Sequence, residues 1–268
     1  MKIQQIYSAI NLKQLFYEFF AAEHIGSFKM FSIFHIIFML VSAYLIYEIS
    51  KRSKTLDENA IQKFLKFSAF FLLMFDPIYW LWEFITFHRF DLSQTLPLYF
   101  CSLFWILLPF AAFAPRNSVF ERIALSHICT IGIIFGISGI VFSVHLNRYP
   151  FFSFVPIRSL IYHFFMILVP CVLWSNGYYK PKIQDSYLFF IPLAALFFPA
   201  LILDKLYGWD YCYLNGGVGT PLEFLSKNTP NFLFIFILYF SIFVVINLIF
   251  YNKTIIKYFK KEKVFSND

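Results

Sequence analysis

FLFIFILYFSIFVVINLIFY, residues 232–251, runs for twenty positions without a charged side chain. A membrane-spanning helix needs about 20 consecutive apolar residues, because the hydrocarbon core is about 30 Å thick and each helical residue advances about 1.5 Å. The stretch therefore reads as a span. Upstream, polar breaks divide the chain into six more, near residues 29–49, 64–87, 92–114, 123–144, 154–175 and 186–204. Pro97, Pro109, Pro170, Pro192 and Pro199 fall inside these runs. Bilayer helices tolerate proline when neighbouring groups satisfy the freed carbonyls.

Composition agrees with this reading. The 268 residues are 60% hydrophobic and 14% charged, with 40 phenylalanines, against roughly 45–50% and about 25% in ordinary globular chains. That excludes a disordered chain, a collagen, a disulfide scaffold and a freely soluble enzyme. With so few charges, the net +7 belongs at membrane edges, and nucleic acid is not expected as a partner. The expected fold class is all-α: a polytopic membrane protein with seven transmembrane helices. Residues 1–28 form an N-terminal interfacial segment, with a short helix over 8–24 lying on the bilayer surface. Residues 29–251 form the membrane domain, and 252–268 a basic tail. The first residues lack a charged n-region followed by an uninterrupted apolar run, so no signal peptide is expected.

Basic loops stay in the cytoplasm. Fourteen of the 22 lysines and arginines flank one side, among them Lys51, Arg52, Arg116, Arg122, Lys180 and the tail lysines. This orientation puts the N-terminus outside and the C-terminus inside a multi-pass protein of the cell membrane. Residues 205–231, rich in glycine, proline and aromatics, read as an ordered outer loop. Trp80, Trp82, Trp174 and Trp209 read as interface anchors.

Ionisable side chains inside spans are costly and mark cavities or pathways. Cys101 and His163 each lie nine residues in from the outer ends of spans three and five, roughly 13 Å deep. His35, Asp76 and Glu83 fall in the same outer half, and Arg158 sits one to two turns above His163. His127 lies near the inner side. The grouping points to a polar cavity that opens outward, floored by a thiol and an imidazole. A neutral imidazole can take a thiol proton, and the thiolate is the nucleophile. A third polar group usually orients the base, and Asp76, Asp204 and Asp210 are candidates. The competing reading is that Cys101 is an inert core residue and His163 a helix-to-helix hydrogen-bonding group. Cys129 and Cys171 read as packing. The scattered cysteines form no CxxC pair, so neither a metal nor another cofactor is expected.

LPLYFCSL (96–103) resembles the hallmark of the YwaF-like bacterial integral membrane family. That family is related to a eukaryotic multi-pass acyltransferase family that remodels ether phospholipids, and more distantly to androgen-induced membrane hydrolases of fatty-acid esters. FSIFH (31–35), IGIIFGISGI (131–140), RYPFFSFVPIRSLIYH (148–163), DYCYL (210–214) and FLSKNTPNF (224–232) resemble further family elements. The resemblance covers about 31–251. It implies that Cys101 is the acyl-accepting nucleophile, His163 its base and His35 a pocket residue. The chain departs from the family pattern at Asp204 and Asp210, where asparagine is common, at Phe164, where glycine is common, and at Arg158, where glutamine is common.

The expected function is a membrane-embedded lipid acyltransferase or lipid hydrolase acting on membrane phospholipids. Tyr99, Ser102 or backbone amides near Pro97 would stabilise the oxyanion. A transporter or small-solute-binding membrane subunit is the first alternative, and a structural membrane protein with a satisfied polar core the second. Cys101 and His163 should approach within roughly 3–5 Å for the chemistry to proceed. No oligomeric state follows from the sequence.

Overall fold

The computed structural model describes residues 18–20, 28–143, 146–217, 220 and 222–252. The expected surface helix over 8–24 and the basic tail lie, apart from residues 18–20 and Asn252, outside the described residues. The described residues form eleven α-helices: α1 Ile33–Ser53, α2 Glu58–Leu73, α3 Phe75–Phe87, α4 Leu92–Thr95, α5 Ser102–Phe113, α6 Val119–His127, α7 Ile133–Val141, α8 Phe154–Asn176, α9 Ile191–Tyr207, α10 Leu222–Lys227 and α11 Asn231–Phe250. Among the described residues there is no strand, so the fold is all-α.

Among the described residues six stretches are long and apolar enough to cross a membrane: Ile33–Ser53, Glu58–Phe87, Val119–Val141, Phe154–Asn176, Ile183–Tyr207 and Asn231–Phe250. The seventh expected span differs. Instead of a helix over 92–114, α4 stops after four residues, and α5 starts only at Ser102 and runs 12 residues. Pro97 explains the break. The residue before a proline is pushed out of the helical region, and Leu96 sits in the extended region at φ −68°, ψ 138°. At about 1.5 Å per residue, α5 covers roughly 18 Å, well short of a hydrocarbon core about 30 Å thick.

The second span is longer than expected. The Asp57 carboxylate caps α2 by accepting the Ala60 N–H at 2.7 Å, which starts the helix six residues before position 64. Asp76-Pro77 lies in the first turn of α3, just after the junction at Met74. The fourth span is helical throughout but carries a π-helical turn, Ile128–Gly132, between α6 and α7. The 205–231 stretch is not uniformly irregular. α9 runs on to Tyr207, a single 3₁₀ turn covers Tyr211–Tyr213, and α10 follows.

The Arg116–Glu58 and Arg122–Asp185 pairs gather beyond the C-terminal end of α5 (the basic end), whereas Leu92, Leu98 and the Tyr211–Tyr213 turn meet before its N-terminal end (the loop end). α8 is the central post, packed against α1, α2, α3 and α7. Its closest approach is to α7, where glycines remove the intervening side chains. A Cβ on Gly136 would meet the Met166 Cβ at 2.9 Å, and one on Gly139 would meet the His163 ring at 2.0 Å. Small residues at such contacts let membrane helices pack on van der Waals attraction alone. At the basic end, Arg116 pairs with Glu58 at 2.9 Å and with buried Glu121 at 2.8 Å, and lies 3.9 Å over the Tyr178 ring. Arg122 pairs with buried Asp185, and the Ser126 and Tyr251 hydroxyls meet at 2.5 Å.

A methyl group at position 139 cannot fit without moving the His163 ring or the helix. Overpacking of this kind costs about 1–3 kcal/mol. Gly139→Ala should therefore lower the thermal unfolding temperature in detergent by several degrees. Ile137→Ala, whose side chain faces outward at 47% exposure, should leave it nearly unchanged.

Candidate functional site

The break in the third span creates the site. Non-helical backbone at membrane depth is tolerated only where protein buries it and satisfies its polar groups. Here side chains from several elements supply the donors. The Tyr211 hydroxyl donates to Leu92 O. The Tyr99 hydroxyl donates to Ser93 O at 2.8 Å, and the Trp80 indole N–H to Thr95 O at 3.2 Å. The Cys212 thiol donates to Leu98 O at 3.0 Å, and the Tyr162 hydroxyl to Cys101 O at 2.8 Å. Aromatic rings fill the space between them. Tyr99 meets Tyr211 at 4.9 Å between centroids, and Phe100 stacks on Phe135 at 5.0 Å. Phe100 also meets Tyr213 and Tyr239, each at 5.9 Å.

Two stretches that stood out in the sequence, LPLYFC and DYCYL, are thus brought face to face. The loop carrying DYCYL is held by two carboxylates. Asp204, 1% exposed, accepts the Tyr211 N–H at 2.9 Å. Asp210 accepts the Asn215 and Gly217 N–H groups at 2.8 and 2.7 Å. Asp204 and Asp210 shape the loop, and neither is hydrogen-bonded to a histidine among the described residues. Cys212 and Tyr213 both adopt left-handed backbone, at φ 51° and 60°. A non-glycine residue in that region costs on the order of 1–3 kcal/mol, and the loop's hydrogen bonds and ring contacts offset this. Burial pushes the Tyr213 hydroxyl up to about 12, with Cys101, Asp210 and Cys212 adding to the shift. Tyr213 is therefore a neutral donor at physiological pH. The Cys212 thiol is raised as well, chiefly by burial and then by Asp204.

Cys101 forms the turn that opens α5, partly buried beneath this loop. His163 lies in the middle of α8, 6% exposed. Its Nδ1 donates to the Ser159 carbonyl at 2.8 Å. A carbonyl can only accept, so the neutral ring carries its proton on Nδ1 and its lone pair on Nε2. The ring lies in the space left by Gly139. Tyr162, one residue earlier and about 100° around the helix, is the side chain that reaches the Cys101 turn. Among the described residues no hydrogen bond joins the Cys101 sulfur to the His163 ring, because α8 presents these two consecutive residues to different neighbours.

The other candidates take separate partners. Asp76 forms an ion pair with Arg158, whose Nε donates to Phe75 O at 3.1 Å and whose guanidinium lies 4.6 Å over the Tyr79 ring. Glu83, 3% exposed, accepts the Thr95 hydroxyl at 2.6 Å. His35 accepts the Phe31 N–H at Nδ1, 3.0 Å, and donates from Nε2 to Ile140 O at 2.7 Å. Both its nitrogens are engaged, tying α1 to α7. His127 Nδ1 donates to Phe189 O at 2.9 Å. Trp82, expected at the interface, is 6% exposed, and its indole donates to Phe20 O at 2.9 Å.

Of the oxyanion donors expected from the sequence, the Tyr99 hydroxyl serves Ser93 O, and two backbone amides at the break, those of Leu98 and Ser102, donate to Leu96 O at 2.8 Å and Tyr99 O at 3.0 Å. Two donors that sequence reasoning missed stand near the Cys101 turn. The Trp105 indole nitrogen is buried and has no acceptor among the described residues. Trp105 follows Cys101 by four positions, a spacing that puts two residues on one helix face. The hydroxyl of Tyr239, whose ring packs on Phe100, is buried and has no hydrogen-bond partner among the described residues. The i, i+4 relation of Trp105 to the thiol was the legible signal. Tyr239 had none.

Cutting one partner from a buried ion pair costs about 3–5 kcal/mol, because it strands the other charge. Asp76→Leu should therefore destabilise the protein strongly in a denaturation series, and the double variant Asp76→Leu with Arg158→Met should recover most of the loss.

The family model of the TMEM164 family matches residues 19–253, so the chain belongs to the TMEM164 family, a family of membrane proteins. No curated protein and no solved structure matches the chain.

Proposed function

We propose that this TMEM164 family member is a membrane-embedded lipid acyltransferase or hydrolase, with Cys101 as nucleophile and His163 as base. The observation that carries the reading is the Tyr162–Cys101 hydrogen bond of 2.8 Å. It ties the thiol-bearing turn to α8 one residue from His163, whose Nδ1 donates to Ser159 O. The resemblance of LPLYFC and the spaced histidine to the YwaF-like family supports the same assignment.

In the reaction, the Cys101 sulfur attacks the carbonyl carbon of a phospholipid acyl ester as its proton passes to His163 Nε2. The tetrahedral intermediate collapses, the ester C–O bond breaks, and the leaving alkoxide takes the proton back from His163. A thioester on Cys101 remains. An acceptor hydroxyl completes acyl transfer, whereas water completes hydrolysis. The Trp105 indole N–H is the donor for the oxyanion. Sulfur and ring are not hydrogen-bonded at rest, so seating of the lipid must bring them together. Resting sites often hold such pairs apart until substrate binds.

The test uses purified protein in nanodiscs containing phosphatidylcholine and phosphatidylethanolamine with an alkyne-tagged oleoyl chain. Mass spectrometry should find a hydroxylamine-sensitive oleoyl adduct on Cys101, absent in Cys101→Ala. Adduct formation should slow about 100-fold or more in His163→Ala, the usual scale of a lost general base. No adduct on Cys101 with either lipid, or undiminished adduct formation in His163→Ala, would contradict the assignment.

A further inference from the structure

α8 carries two polar stripes of different purpose. Arg158 and Tyr162, four residues apart, share one face, and Ser159 and His163 share the next. The first stripe faces the ion-pair partner Asp76 and the Cys101 turn. The second faces Gly139 of α7. Tyr162 is 8% exposed, and its ring also packs against Phe104 at 6.4 Å and His163 at 5.5 Å between centroids.

The hydroxyl of Tyr162 reaches the backbone at the start of α5. Cys101 O accepts the Tyr162 hydroxyl at 2.8 Å and the Phe104 N–H at 3.0 Å. A side chain from another span thus fastens the first turn of α5 to α8. Arg158, on the same face of α8 as Tyr162, pairs with Asp76, so one stripe of α8 holds both the intramembrane ion pair and the Cys101 turn.

We propose that Tyr162 is the positioning residue for Cys101: its hydroxyl, bonded to Cys101 O, pins the turn that presents the thiol against α8. The inference rests on Cys101 as the reacting group of the proposed function and extends it to a residue with no part in the bond-making step. Without the hydroxyl the turn loses its tie to α8, and the thiol loses its fixed presentation.

Tyr162→Phe removes only that hydroxyl. Two readouts on the purified protein in nanodiscs separate the possible failures. The first is the rate constant for alkylation of Cys101 by iodoacetamide, followed by mass spectrometry from pH 7 to about 10, since thiol alkylation follows the thiolate. It requires no lipid chemistry. The rate constant should fall at least fivefold in Tyr162→Phe, while the final stoichiometry of alkylated Cys101 stays that of the parent. A rate within twofold of the parent, or a faster one, overturns the positioning role. A merely misfolded fraction would change the stoichiometry or add a second kinetic phase, and that result also overturns it. The second readout is adduct formation from the alkyne-tagged oleoyl lipids. It should slow tenfold or more at saturating lipid, with half-saturation within twofold of the parent. An absent adduct in the parent protein sinks the acyl chemistry alone, and the alkylation series still decides for or against Tyr162.

Discussion

A carbonyl or amide group in hydrocarbon must find a partner inside the protein, and the broken third span is where this chain meets that demand at greatest length. Between Leu92 and Cys101 the helix fails, and five carbonyls are served by Tyr211, Tyr99, Trp80, Cys212 and Tyr162. Each hydrogen bond to a buried group matters more for the desolvation cost it avoids than for its own net gain, since a stranded buried group costs about 1–3 kcal/mol. The placement of α3, α8 and the DYCYL loop therefore follows from a single interruption at Pro97. The same requirement explains the strained Cys212–Tyr213 backbone, because a relaxed loop would point its thiol and rings elsewhere.

A second consequence is division of labour among polar groups. Asp204 and Asp210 spread their oxygens over backbone amides and build the loop. His35 and His127 fasten helices through backbone carbonyls. Asp76 neutralises Arg158 beside Tyr162. In the proposed function the chemistry falls to the Cys101 thiol and the Trp105 indole on the first turn of α5 and to His163 on α8.

Much of this was legible in the residues. The uncharged run 232–251 and the mostly apolar segment 154–175 became α11 and α8 almost as delimited, because length and apolarity largely decide a span. IGIIFGISGI was read only as a family element, and the close α7–α8 contact that Gly136 and Gly139 make emerged from the structure. The third span was misjudged because hydropathy does not register a helix break: residues 92–114 are apolar enough to span, yet Pro97 and the capping side chains decide otherwise. The thiol–imidazole pairing was judged by depth and by the family resemblance. Depth is one coordinate of a helical residue, and azimuth is the other. About 100° separates Tyr162 from His163, and only contacts with neighbouring helices reveal which of the two faces Cys101. Asp204 and Asp210 looked catalytic for a similar reason, since a carboxylate near a membrane surface gives no sign of the backbone amides it will bind.

The most direct test is an experimental density map of the protein in a lipid nanodisc, resolved well enough to trace residues 90–115 and 208–217. The account predicts extended backbone over 96–98, a helix beginning at Ser102, and the Tyr211–Tyr213 turn lying on the interruption with Tyr162 against Cys101. An unbroken helix from Leu92 to Phe113, with the 208–217 loop standing away from it in solvent, would contradict it.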